Sequence, residues 1–154
     1  MTTDIARFMK QLEHVWDAHV EAALIRRDLA AVLADTTAEP TVRHLPADTG
    51  ASGREALERF YAEDFLPHLP GDLALRRISR TVDRFRLVDE TIVSFTHDRE
   101  LPWLLPGLEA TGQRVDILAI AVVSFHRGRI ASVRVLWDYA TLTAQLRPVS
   151  GGRP

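Results

Sequence analysis

The chain has 154 residues, 46% of them hydrophobic and 26% charged, with a formal net charge of -2. That length suits one domain around one core, and the charge leaves no electrostatic footprint for nucleic acid. No cysteine is present, which excludes disulfides, thiolate metal sites and cysteine nucleophiles.

Residues 4 to 34 read as helical. Ile5, Phe8, Met9, Leu12, Val15, Trp16, His19 and Ala23 repeat at the three-or-four spacing of one buried face, and Thr3 or Asp4 can cap the start. A break near Arg27-Asp28 separates a second, shorter helix. "AEPTVRHLPADTG" reads as extended and loop-like, because Pro40 and Pro46 oppose helix and Gly50 suits a turn. "SGREALERFYAEDFLPHLPG" reads as a third helix with a capping box of Ser52 and Glu55, stopping before Pro67.

Strand character follows at 73 to 87, 90 to 101, 113 to 126 and 129 to 138, rich in Val, Ile, Phe, Thr and Leu. Asp89-Glu90 suggests one hairpin and "HRGR", with Gly128, another. "LPWLLPGLEATG" is an irregular crossing, and 139 to 147 a short closing helix. Residues 148 to 154, "VSGGRP" with its preceding proline, read as a flexible tail after a single domain of 1–147. Helices followed by a meander describe an α+β domain, with N-terminal helices packed on a curved antiparallel sheet. A cone-shaped α+β barrel of this kind encloses a pocket suited to a small-molecule ligand. No stretch has the apolar length of a membrane span or a signal core, so a cytoplasmic protein without a membrane partner is expected.

The order of elements resembles the nuclear transport factor two-like superfamily, and the motifs resemble its SnoaL-like polyketide cyclase branch. The matching pieces are Thr96-His97, Pro106-Gly107, Thr111-Gly112 with Arg114, Gly128, Asp138 and Gln145-Leu146. "TVRHLPADTG" also resembles a sub-branch associated with lactone hydrolysis. The resemblance implies a homodimer through the sheet, no metal and no organic cofactor. It implies acid–base chemistry on a small apolar, oxygenated substrate, with Asp138 as general base. Relatives of this kind often carry a second acid in the first helix, where this chain has Ala23.

Several side chains are candidates for that chemistry. Asp138 ends a strand and also suits the N-cap of the last helix. Alternation places Arg134, Leu136 and Asp138 on one strand face, with Val133, Val135 and Trp137 on the other. The polar face either lines a pocket, making Arg134 and Leu136 substrate contacts, or meets solvent. Arg134 beside Asp138 would hold it ionised and lower its pKa. His97 falls in line with Thr91, Val93 and Phe95, and suits a proton donor. His19 faces the sheet from the first helix, and His44 sits on the loop at the expected cavity mouth. Both can assist His97 as acid or oxyanion stabiliser, or serve as core residues. Trp16, Trp103 and Tyr61 are core by pattern. Trp103 can also cover a ligand, Tyr61 offer a phenol and Trp16 form a wall. His14, His68 and His126 read as surface.

Three functions fit. The first is a small cofactor-independent enzyme for ring closure or double-bond migration. The second is a lactone or epoxide hydrolase using the same pocket, without a G-x-S-x-G serine elbow. The third is a non-catalytic ligand-binding module.

Overall fold

The computed structural model describes residues 2–147, so the expected tail at 148–154 lies outside the described residues. Helix α1 spans Thr2–Val20 and runs into a π-helical turn, Glu21–Ile25. Arg27 takes a positive φ of 51°, and Asp28 caps α2, Leu29–Ala34, through a 3.2 Å bond from the Ala31 N–H. This is the break expected near Arg27-Asp28.

The segment expected to be extended and loop-like is extended, but as a pair of strands, β1 (Thr36–Leu45) and β2 (Thr49–Ser52). Its prolines sit where a ladder tolerates them. Pro40 lies in the register shift between Thr36 and Thr41, and Pro46 follows the end of β1. Gly50 has no substitute here: a Cβ on it would stand 1.9 Å from the Val42 carbonyl oxygen. Helix α3 covers Arg54–Arg59 and winds on through a π turn at Phe60–Phe65 and a short 3-10 turn at Leu66–His68. The expected capping box does not form. Gly53 is the N-cap and has no side-chain cap bond, because β2 continues through Ser52.

Four long strands follow: β3 (Ala74–Val82), β4 (Arg86–Thr96), β5 (Arg114–His126) and β6 (Arg129–Trp137). The sheet order is β2-β1-β6-β5-β4-β3, antiparallel except for the parallel pair β1 and β6. It curves round the helices without closing, and β2 and β3 are its edges. The Gly128 hairpin forms as expected, with Arg127 and Gly128 both at positive φ, as a two-residue turn requires.

The other hairpin is displaced from its expected place. It turns at residues 83–85, where the Asp83 carboxylate accepts from the N–H groups of Phe85 and Arg86, at 2.7 and 2.8 Å. Asp89 and Glu90 therefore lie inside β4, opposite Ala121 and Ile120. Helix α4, Tyr139–Leu146, closes the chain as expected.

The inner face of the sheet makes the core with α1, α2 and α3. Phe95, Val115, Ile117, Val123 and Ile130 are all but sealed from solvent. At the centre the inner residues become small, with Ala119 and Ala121 on β5 beside Val133 and Val135 on β6. That step in side-chain size leaves a hollow beneath the helices.

Candidate active site

The hollow is a cavity of about 270 Å³, bounded by the sheet, α1 and the turn following α3. One cross-strand row supplies its floor. Asp89 on β4 pairs with Ala121, Ala121 with Val135, and Val135 with His44 on β1. A carboxylate and an imidazole thus end a row of small residues, three strand steps or roughly 14 Å apart along the sheet. The next row runs Thr91, Ala119 and Trp137.

Asp89 is buried, and its bonds are specific. Arg80 grips it from β3, Nε to Oδ1 at 2.7 Å and Nη2 to Oδ2 at 2.9 Å. The Trp16 indole N–H donates to Oδ2 at 3.0 Å. Arg80 also reaches α1, with Nη2 2.6 Å from Asp17 and Nη1 3.3 Å from Glu13. These partners raise the Arg80 pKa, the Asp89 hydrogen bond most of all. The geometry depends on a register shift between Arg77 and Ser79, which admits one unpaired residue. Arg77 and Arg80 have opposite parity, yet both line the cavity.

The opposite wall is aromatic. His44 stacks on Phe65 with centroids 5.5 Å apart and meets Trp103 edge-on at 5.5 Å. The Trp137 indole N–H donates to its Nδ1 at 3.1 Å. His19 stacks on Trp16 at 5.3 Å, bonds the Val32 carbonyl through Nδ1 at 3.2 Å, and meets the Tyr61 hydroxyl through Nε2 at 3.4 Å. Burial drives the pKa of both histidines down to about 4, so they are neutral at pH 7. Burial likewise pushes the Tyr61 phenol up.

Of the residues singled out by sequence, the fold brings His19, His44, Trp16, Tyr61 and Trp103 to the cavity. It places the others elsewhere. Asp138, Arg134 and Leu136 stand exposed on the outer face, because the apolar Val133, Val135 and Trp137 claim the inner one. Asp138 is the N-cap of α4, accepting from the Thr141 hydroxyl at 2.6 Å and the Thr141 N–H at 3.2 Å. Those two bonds from Thr141, rather than Arg134, hold its pKa below the usual carboxylate value. The expected cavity base is therefore outside the cavity.

His97 follows Phe95 on the inner side but is wholly buried under the crossing, and does not line the cavity. Its Nδ1 lies 2.9 Å from the Thr111 hydroxyl and 3.3 Å from the Thr111 N–H, and burial lowers its pKa. Asp89, Arg80, Arg77 and Asp17 are cavity residues that the sequence reading overlooked. For Asp89 the signal was its alternation with Leu87, Thr91 and Val93, obscured by the hairpin assigned to Asp89-Glu90.

The SnoaL-like polyketide cyclase family model matches residues 9–146. The chain belongs to that family. No curated protein matches the sequence. Among solved structures, one assigned to the SnoaL-like polyketide cyclases from Jannaschia sp. CCS1 is similar, with a TM-score of 0.70 and 18% identity. The match covers 92% of this chain and 96% of that one. SalBIII, an epoxide hydrolase/cyclase-like enzyme in pyran ring formation in salinomycin, matches with a TM-score of 0.63 and 15% identity, over 86% and 94% of the two chains. An LEH-like epoxide hydrolase of M. tuberculosis matches with a TM-score of 0.63 and 15% identity, over 90% of each. At such identities the likeness is one of fold. Among the described residues no helix is long and apolar enough to cross a membrane.

Proposed function

We propose that this family member is a small cofactor-independent enzyme performing acid–base catalysis on a small apolar, oxygenated metabolite. Ring closure or double-bond migration is the reaction class. One observation carries the reading: a single cross-strand row sets a carboxylate, Asp89, against a neutral imidazole, His44, across a floor of small residues. Asp89 takes a proton from carbon beside a carbonyl, and an imidazole N–H of the opposite wall binds the oxygen on which charge develops. Desolvation in the aromatic cavity strengthens both interactions.

Hydrolysis of a lactone or epoxide is the second reading, favoured by the mouth of the cavity. There Asp17, Arg77 and Arg80 also line an adjoining polar cleft of about 220 Å³, which gives water a route to Asp89. The test is turnover of a panel of β-keto esters, lactones and epoxides by the purified protein and by Asp89→Asn. Turnover by Asp89→Asn within threefold of the parent sinks the role of Asp89. Label from ¹⁸O-water entering the product selects hydrolysis. Binding without any product selects a non-catalytic module. We also propose that a second copy packs on the outer sheet face, which presents Ile92, Leu118, Ile120 and Leu136.

A further inference from the structure

The two cavity histidines have hydrogen-bond partners that leave no freedom in where the ring proton sits. An indole N–H only donates and a backbone carbonyl only accepts. The Trp137 indole donates to Nδ1 of His44, so that nitrogen carries a lone pair and the proton of the neutral ring is on Nε2. The Val32 carbonyl faces Nδ1 of His19, so there the proton is on Nδ1 and the lone pair on Nε2. That lone pair accepts the Tyr61 hydroxyl proton and turns the phenol oxygen's own lone pairs away from the imidazole. Nε2 of His44 has no protein partner among the described residues, yet it is not a sealed orphan, and the ring lines the cavity.

We propose that Trp137 is a positioning residue that fixes His44 in the Nε2–H tautomer. The aromatic wall of the cavity then offers one aimed hydrogen-bond donor, and its ligand is a neutral molecule whose carbonyl or ether oxygen accepts from His44. The opposite tautomer at His19 makes the other histidine an acceptor, so the pair is not interchangeable. A neutral donor suits an oxygen that gains charge during reaction, because it is in place beforehand and costs little reorganisation. This deepens the acid–base reading by naming the oxygen-binding group, but the tautomer itself can be tested without any turnover.

The experiment is long-range ¹H–¹⁵N correlation on uniformly labelled protein at pH 7, with His44 assigned through its contacts to the Trp137 indole. The expected result is a pyridine-like Nδ1 and a pyrrole-like Nε2 at His44, with the reverse at His19. In Trp137→Phe, which keeps an aromatic wall, His44 becomes a mixture of tautomers. Protonated Nδ1 at His44 in the parent, or an unchanged tautomer in Trp137→Phe, overturns the proposal. The probes are 1-indanone and indane, of matching shape. All three tryptophans of the chain line the cavity, so both probes alter tryptophan fluorescence when they enter. Only 1-indanone should move the His44 Nε2 resonance. Equal shifts with indane, or none with 1-indanone in a filled cavity, overturn the donor role. Loss of activity in Asp89→Asn bears on the function and not on this result.

Discussion

Arg80 and Asp89 face each other across β3 and β4 and close a two-point ion pair inside the molecule, with only 9% of either side chain exposed. Such a pair is strained energetically when one member is lost, because the other is left as an uncompensated buried charge. Arg80→Leu should therefore destabilise the protein by about 3 kcal/mol in urea unfolding at pH 7. Loss of less than about 1 kcal/mol would show that water reaches Asp89 freely.

Asp89→Asn keeps the shape of the side chain and removes its charge. Turnover of an identified substrate should fall on the order of 100-fold or more, the usual size for a general base. Asp138→Asn should leave turnover unchanged, since Asp138 lies on the outer face. Asp138→Ala removes the cap of α4 and should lower the midpoint of thermal unfolding by roughly 3 °C. Kinetics and a melting curve on the same variants separate the two aspartates.

His19 and His44 make stability depend on pH. Their folded pKa values of about 4 lie below the ordinary histidine value of 6.5. Between those limits the unfolded chain binds more protons, so stability is full above about pH 6.5 and is lost as pH falls towards 4. Each histidine contributes about 3 kcal/mol over the whole titration, of which about 2 kcal/mol falls between pH 7 and pH 5. Chemical unfolding at pH 7 and pH 5 measures it. His44→Gln should flatten the slope, and a parent without any slope in this window would show that the rings are hydrated.

Ala121→Leu adds apolar volume where the floor is lowest. Stability should change by no more than about 1 kcal/mol, since the new atoms enter a void. Ligand binding should weaken at least tenfold, as read by tryptophan fluorescence. Unchanged binding would move the ligand site away from this cavity.

The proposed second copy on the outer face predicts a dimer by light scattering. Ile120→Arg should convert it to a monomer while preserving the circular dichroism spectrum. A parent that scatters as a monomer at all concentrations removes the proposal.

The hydrophobic pattern carried most of the architecture. The helical spacing predicts the face that α1 and its π turn bury: Leu12, Trp16, His19 and Ala23 are buried, whereas Ile5, near the start, is 39% exposed. The alternation in β6 separated Val133 and Trp137 from Arg134 and Asp138, because that period is local backbone geometry. Which of the two faces points inward is decided by what packs on it, and a strand does not encode its partner. Asp89 shows the same limit. An acidic pair between apolar runs reads as a turn, but Asp83 binds the backbone of the turn three residues before β4, and Asp89 finds its counter-ion on a neighbouring strand.

By itself, then, the sequence determined the α+β class, the helix faces, the Gly128 turn and the cap at Asp138, all products of contacts close along the chain, while β1 and β2 emerged only from their pairing in the sheet. Only the tertiary structure decided that Asp89 rather than Asp138 shares the cavity floor with His44. That row spans four strands, a parallel pairing and a register shift, and it depends on long-range pairings that no local pattern records.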